Sequence, residues 1–209
     1  MDALFDLKRL MQQQDSDVER WHAAPVVQDA RDPFLLLVQT NHARNFELWH
    51  EEDKARVPSA DDAVIARVKR NIDKLNQARN DAMERIDEAV QAWLEGGVTG
   101  GGTPAPDDAP LNSESVGSIV DRLSIISLKR YHMREETQRA DAEDAHKAQA
   151  AGRLAILDIQ SEDLGQCLAA LVDDLAAGRK RFRIYRQMKM YNDPAWNPLL
   201  YGKGKSADG

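Results

Sequence analysis

A long regular pattern occupies residues 61–95, DDAVIARVKRNIDKLNQARNDAMERIDEAVQAWLE. Its apolar residues recur mostly at steps of three and four, the spacing that places side chains on one face of an α-helix. The members of this stripe are Ile65, Val68, Ile72, Leu75, Met83, Ile86, Val90 and Trp93. Asp61 or Asp62 is suited to cap the start of such a helix, and Gly96 and Gly97 are suited to end it. The stretch therefore predicts a long amphipathic helix with one buried face.

Similar periodicity predicts four more helices. The predicted spans, in chain order, are 1–14, 33–56, 61–95, 113–139 and 141–177. Pro25 and Pro33 mark a connector after the first of them, and Pro33 also suits the first turn of the second. Ser113 or Ser115 is a suitable cap for the fourth. No strand-like alternation interrupts this series.

Residues 96–112 divide the predicted helices into two halves. They contain five glycines and three prolines and almost no apolar residues, a composition typical of a flexible linker. Neither half carries an obvious complete core, so we expect one domain over residues 1–209 rather than two. Residues 202–209 are expected to form a disordered tail. The predicted fold is all-α: an elongated antiparallel bundle of four to six helices with no sheet.

Composition limits the classes of function. The formal net charge of the 209 residues is −7, which disfavours nucleic acid as the main partner because a phosphate polymer repels an acidic surface. The single cysteine, Cys167, can form no internal disulfide, which favours the reducing cytoplasm. The longest apolar run, residues 34–38, is far too short for a transmembrane segment. We expect a cytoplasmic protein with no transmembrane segment.

The second predicted helix carries an unusual polar stripe. Its members, at steps of three and four, are His42, Asn45, Trp49, Glu52 or Asp53, and Arg56, with His50 close by. A solvated helix face favours Lys and Glu, so His, Asn and Trp on one line indicate a lined cavity. The alternative is that Trp49 packs in the core while His42 and Asn45 hydrogen-bond to neighbouring helices.

The third predicted helix carries a matching stripe beside its apolar face. Its members are Lys69, Asp73, Asn76, Asn80, Glu84 and Asp87. Of these, Asn76 and Asn80 are candidate ligand-binding residues. In an antiparallel hairpin the two polar stripes could face each other, and Glu52, Asp53, Glu84 and Asp87 would then be candidate ligands for a divalent metal. The alternative is an exposed helix surface of ion pairs.

Two further groups join the candidate ligand site. Asp121 and Lys129, about two turns apart on the fourth helix, could reach the cavity of His42 and Asn45. The alternative for Asp121 is a stabilising position near the helix start, where the helix dipole favours a carboxylate.

A cluster of six cations without an acid occupies residues 179–189. Of these, Arg183, Arg186 and Lys189 are candidate phosphate-binding residues. The alternative is that the cluster pairs with the acidic helices of the same chain. Gly178 could end the fifth helix before this segment, or the helix could continue through it to residue 191.

Several strings resemble an uncharacterised bacterial family, catalogued as domain of unknown function 4254. They are NHARNFELWHEEDKAR at 41–56, KLNQARND at 74–81, GSIVDRLSI at 117–125 leading to Leu128-Lys129, and YRQMKMYNDP at 185–194. The resemblance spans roughly residues 34–201 and omits 96–110. It implies a helical protein that accompanies glycosyltransferases in gene sets for cell-surface polysaccharide such as lipopolysaccharide. It implies no catalytic residues.

Three hypotheses follow. The first is a cytoplasmic accessory protein of polysaccharide assembly that binds an anionic sugar-linked ligand or a glycosyltransferase, with an aromatic wall for the sugar and cations for its phosphate. The second is a metal-dependent helical phosphohydrolase or transferase that uses the four carboxylates, with His42 or His50 as acid or base. The third is a structural scaffold whose polar stripes form interhelical networks or a homodimer surface.

Overall fold

The computed structural model describes residues 6–96, 102–188 and 195–198, and it contains five α-helices there. The helices are α1 (Leu7–Ala23), α2 (Pro33–Ala55), α3 (Asp62–Leu94), α4 (Val116–Gln138) and α5 (Asp144–Ala176). Helix α2 packs along α3, α4 packs along α5, and α1 lies against α4 and α2. Within the described residues the only β-type pairing is an isolated bridge between Leu111 and Arg181. The predicted all-α helical bundle is confirmed.

The helix ends follow the capping residues in the sequence. The Asp61 carboxylate accepts a hydrogen bond from the amide of Val64 at 2.8 Å, and Ser115 caps α4 through the amide of Ser118 at 3.2 Å. Asp32 caps α2 directly before Pro33, which occupies the first helical turn. These side chains satisfy amides that have no partner inside the helix. The predicted bounds of α2, α3, α4 and α5 therefore hold to within a few residues.

The prediction for the first helix is wrong, because α1 runs well past residue 14. Its inward face continues through Gln14, Asp17 and Val18 to Trp21, all of them buried. The amide of Gln39 donates to Asp17 at 2.9 Å, so a neighbouring helix satisfies this buried carboxylate. Polar residues on the buried face made the apolar pattern seem to stop early. The predicted residues 1–5 lie outside the described residues.

One hydrophobic core joins all five helices. Its buried members are Leu10, Phe34, Leu35, Val38, Ile86, Val90, Val116, Ile119, Val120, Leu123, Leu168, Leu171 and Leu175. A smaller cluster lies at one side of the bundle and consists of Val18, Trp21, Ala43, Phe46 and Leu128. Both predicted halves of the chain contribute to the larger cluster.

Helix α5 ends at Ala176, and Gly178 two residues later has a left-handed backbone with φ of +68°. Residues 179–188 are not helical, so continuation of α5 through the basic segment is wrong, and the predicted glycine cap is confirmed. The end of α5 also binds part of the Gly/Pro-rich segment, since the amide of Thr103 donates to the carbonyl of Ala176 at 2.8 Å. The amide of Arg181 donates to the carbonyl of Pro110 at 3.0 Å. Residues 97–101 and the predicted tail 202–209 lie outside the described residues.

None of the described helices has the length and apolarity required to span a bilayer.

Candidate functional site

A buried hydrogen-bond network connects α2 to α4. The amides of Asn41 and Asn45 both donate to Oδ1 of Asp121, at 3.0 and 2.9 Å. Asn45 also donates to Oγ of Ser124 at 2.9 Å. Each of these four residues is at most 3% exposed, so the network lies inside the bundle. Because buried polar groups are costly unless paired, these side chains fix how α2 and α4 align.

Arg79 of α3 completes the network. Its Nε donates to Oδ1 of Asp121 at 2.7 Å, and its Nη2 donates to Oδ2 of the same carboxylate. The Asp121 side chain is 3% exposed and the Arg79 side chain 24%. Hydrogen bonding to Asp121 raises the pKa of Arg79, and burial opposes that rise. Asp121 thus joins three helices, and the helix-dipole alternative does not describe its role.

His42 belongs to the core and not to a cavity. Its Nε2 lies 2.9 Å from the carbonyl oxygen of Gln14, which can only accept, so Nε2 donates. Its Nδ1 lies 2.7 Å from Oγ of Ser124 and, in the neutral ring, accepts from that hydroxyl. Burial lowers the pKa of His42 to about 4, against the weaker opposing effect of Asp17. For His42 the alternative, hydrogen bonding to neighbouring helices, is correct.

This burial predicts a pH dependence of stability. The pKa of His42 is 6.5 as an unperturbed group and about 4 in the fold. Between these values the unfolded chain binds a proton that the folded chain excludes, so the stabilisation is complete above pH 6.5 and is lost as the pH falls toward 4. Lowering the pH from about 7 to 5 should cost about 2 kcal/mol from this residue. Urea unfolding of wild type and His42→Gln at both pH values measures it, and an identical pH dependence in the two proteins would contradict it.

A pocket of about 340 Å³ opens beside the network. Its lining residues are Asn45, Leu48, Trp49, Glu52, Asp53, Arg56, Arg79, Ile125 and Leu128. Arg79 therefore contacts the buried carboxylate on one side and the pocket on the other, and its Nη1 is not used in the pair with Asp121. Arg56 lies at the pocket edge, 3.2 Å from Glu52. An aromatic wall, two carboxylates and two guanidinium groups line this pocket together with the apolar side chains of Leu48, Ile125 and Leu128.

Other predicted site residues lie elsewhere. Lys129 is exposed and lines a second pocket, of about 490 Å³, together with Trp49 and residues of α5. The expectation that Lys129 and Asp121 share a cavity is wrong, because Asp121 is held in the network. Asn80 is buried and Asn76 half-buried on α3, and neither lines the 340 Å³ pocket.

The four carboxylates predicted as metal ligands do not assemble into one site. Asp87 is buried and accepts from the amide of Gly117 at 2.7 Å, and burial raises its pKa. Glu84 accepts from Arg186 at 2.8 Å, while Glu52 and Asp53 line the 340 Å³ pocket. Among the described residues, no group of three or more potential metal ligands includes any of these acids.

The basic segment pairs largely with the chain's own acids. Arg186 contacts Glu84 and Glu88, each at 2.8 Å, and Arg179 contacts Asp174 at 2.7 Å. These pairs support the alternative of internal ion pairing for Arg186, which is not part of the pocket beside Trp49. Arg183 is exposed. Lys189 lies outside the described residues.

A cluster that the sequence did not reveal consists of His22, His50 and His132, from α1, α2 and α4. One ring nitrogen from each lies within 4.8 Å of the others. The rings are nearly perpendicular, with interplanar angles of 76°, 79° and 82°. The pKa of His50 is lowered mainly by burial, and to a smaller extent by the neighbouring His22 and His132 rings.

In the sequence, the only indication of this cluster is that the chain contains few histidines. Three of the chain's five histidines converge here, but they are separated by 28 and 82 residues, so no local motif connects them. Among the described residues, this is the only group of three or more His, Cys, Asp or Glu side chains positioned to bind one metal ion. Trp49 stacks on His132 with a centroid distance of 4.9 Å, which places the cluster beside the pocket wall.

Fold and site together define a small all-α protein with a buried Asp–Arg–Asn network, an adjoining pocket and a histidine cluster. A family described as a protein of unknown function, DUF4254, matches residues 35–184. The chain therefore belongs to that family, and the resemblance found in the sequence is confirmed. No curated protein and no solved structure matches the chain.

Proposed function

We propose that this protein binds a sugar that carries a phosphate group, as a cytoplasmic accessory protein of cell-surface polysaccharide assembly. The observation that supports a ligand site is the Arg79 guanidinium, anchored by buried Asp121 and also lining the pocket that contains Trp49. An arginine held in this way loses little side-chain entropy when it binds an anion, so it is preorganised for a phosphate. The place in polysaccharide assembly, beside a glycosyltransferase, rests on the family resemblance.

The rest of the pocket lining suits a sugar. The indole of Trp49 offers a flat apolar face on which a sugar ring can stack. Glu52 and Asp53 offer acceptors for sugar hydroxyls, and Asn45 lies at the inner end beside the network. A pocket of about 340 Å³ has room for one sugar unit with its phosphate.

Thermal unfolding with a panel of nucleotide sugars and sugar phosphates tests this proposal. A compound present at about one hundred times its dissociation constant should stabilise the fold by about 2.7 kcal/mol, a rise in Tm of roughly 5–10 °C. Trp49→Leu keeps an apolar side chain but removes the flat face, so it should abolish the rise.

The matched control is Trp196→Leu, because Trp196 is 62% exposed and does not line the pocket. This variant should keep the full ligand-induced shift. If no compound of the panel raises the Tm of the wild type, or if both tryptophan variants respond alike, the pocket is not the binding site.

A further inference from the structure

The hydrogen bonds of His22 and His132 fix which ring nitrogen carries the proton. Nδ1 of His22 lies 2.7 Å from the carbonyl oxygen of Val18, and Nδ1 of His132 lies 2.9 Å from Oε2 of Glu135. A carbonyl and an ionised carboxylate only accept, so each Nδ1 donates. In the neutral rings, each Nε2 therefore presents a bare lone pair.

These two lone pairs are buried and unmatched. Nε2 of His22 and Nε2 of His132 are the only buried side-chain nitrogen or oxygen atoms in the described residues without a hydrogen-bond partner. Leaving a buried polar atom unpaired destabilises a fold, so two such atoms close together call for a common partner. That partner must accept electron density from both atoms.

We propose that His22, His50 and His132 bind one divalent transition-metal ion, with Zn²⁺ as the ion that fits best. Three imidazoles suit Zn²⁺, whereas Mg²⁺ and Ca²⁺ require oxygen ligands. A site with three protein ligands leaves a fourth tetrahedral position for water or an exchangeable ligand, and a purely structural zinc site has four protein ligands. The site differs from the carboxylate site expected from the sequence.

The surroundings of the rings match those of known metal-binding histidines. Such histidines donate their other ring N–H to a carbonyl or a carboxylate, which fixes the tautomer and raises ligand basicity. Val18 and Glu135 fill these two roles here. Stacking of Tyr131 on His22 at 4.1 Å holds that ring in place, as stacking of Trp49 does for His132.

The three ring nitrogens need to move only a short distance toward one another to bind one ion. Tetrahedral ligands at a Zn–N distance of about 2.0–2.1 Å are roughly 3.3 Å apart. The ring nitrogens lie within 4.8 Å of one another, so they must approach by about 1.5 Å at most. All three histidines are half-buried, so small rotations of their side chains can supply this movement.

The test uses the full chain without a histidine tag, stripped of metal with a chelator. Competition with a chromophoric chelator measures Zn²⁺ affinity and stoichiometry, and the visible spectrum after Co²⁺ addition reports coordination geometry. We expect one equivalent of Zn²⁺ in the wild type and the intense visible bands of tetrahedral Co²⁺. These measurements on the wild type do not depend on any variant that fails to fold.

Three variants are expected to differ in how far they weaken Zn²⁺ binding. His50→Ala should weaken Zn²⁺ binding by more than about 100-fold, because it removes a ligand, and Glu135→Ala should weaken it by about 10- to 100-fold, because it removes an outer partner. His146→Ala is the control, since His146 is exposed and pairs with Glu136 at 2.7 Å. It should leave binding unchanged.

The opposite outcomes overturn the proposal. If the wild type binds no Zn²⁺, a water molecule that bridges the nitrogens is the common partner instead. Equal affinities of His50→Ala and His146→Ala would place the metal elsewhere. Because the probe is the metal alone, these results are independent of the sugar-phosphate test.

Discussion

Replacing Asp121 with alanine is expected to lower the free energy of unfolding by about 3–5 kcal/mol, the cost of breaking a buried ion pair by removing one partner. The carboxylate accepts from Arg79, Asn41 and Asn45, so its loss leaves a guanidinium and two amides without their acceptor inside the bundle. For a chain of this size, the Tm should fall by roughly 6–20 °C. Thermal and urea unfolding of the purified variant measure both quantities.

The neighbouring residue supplies the control. Arg122 pairs with Glu114 at 2.7 Å on the surface, where the two side chains are 50% and 40% exposed. Arg122→Ala should therefore change stability by less than about 1 kcal/mol. A double variant, Asp121→Leu with Arg79→Met, should be less destabilised than Asp121→Ala because no charge is left unpaired. Similar losses in Asp121→Ala and Arg122→Ala would show that the network adds little.

Gly117→Ala is the second substitution that we expect to lower the free energy of unfolding strongly. A Cβ at Gly117 would lie 2.5 Å from the carbonyl oxygen of Met83 and 2.9 Å from Oδ1 of Asp87, so α3 and α4 must move apart. The move would also break the 2.7 Å hydrogen bond from the Gly117 amide to buried Asp87. Overpacking and the loss of one hydrogen bond to the buried carboxylate together should cost about 3 kcal/mol or more. Urea unfolding gives this value directly.

Gly152→Ala is the matched control, because Gly152 is also helical but no atom lies within 4 Å of its added Cβ. There alanine should stabilise the protein by about 0.5–1 kcal/mol through helix propensity. A loss of stability in Gly117→Ala and a gain in Gly152→Ala would locate the close contact at the α3–α4 interface. Two stabilising substitutions would mean that this interface has space for a methyl group.

The helices were predictable where apolar periodicity and caps agreed. Asp61 and Ser115 mark their helix starts in the sequence and in the structure alike. Helix α1 was misjudged because Gln14 and Asp17 are polar residues on its buried face, which only tertiary hydrogen bonds make favourable. Local sequence contains no information about those distant partners.

The same error hid the histidine cluster. The predicted first helix ends at residue 14, so His22 falls in the predicted connector and no sequence pattern places it beside His50. The spacing places the polar residues of α2 on one stripe, but it does not separate the residues that face the core from those that face the pocket. His42 faces the core and Trp49 lines the pocket, because the helices that pack against each position differ. Similarly, the pairing of Arg186 with α3 depends on the path of the chain after Gly178.

Trp49 belongs to both proposed sites, since it lines the sugar-phosphate pocket and stacks on His132. A shared side chain links the two occupancies thermodynamically. If the metal changes the affinity for the sugar phosphate by some factor, the sugar phosphate must change the affinity for the metal by the same factor. If both proposals hold, the indole is the structural element that couples binding of the sugar phosphate to binding of the metal.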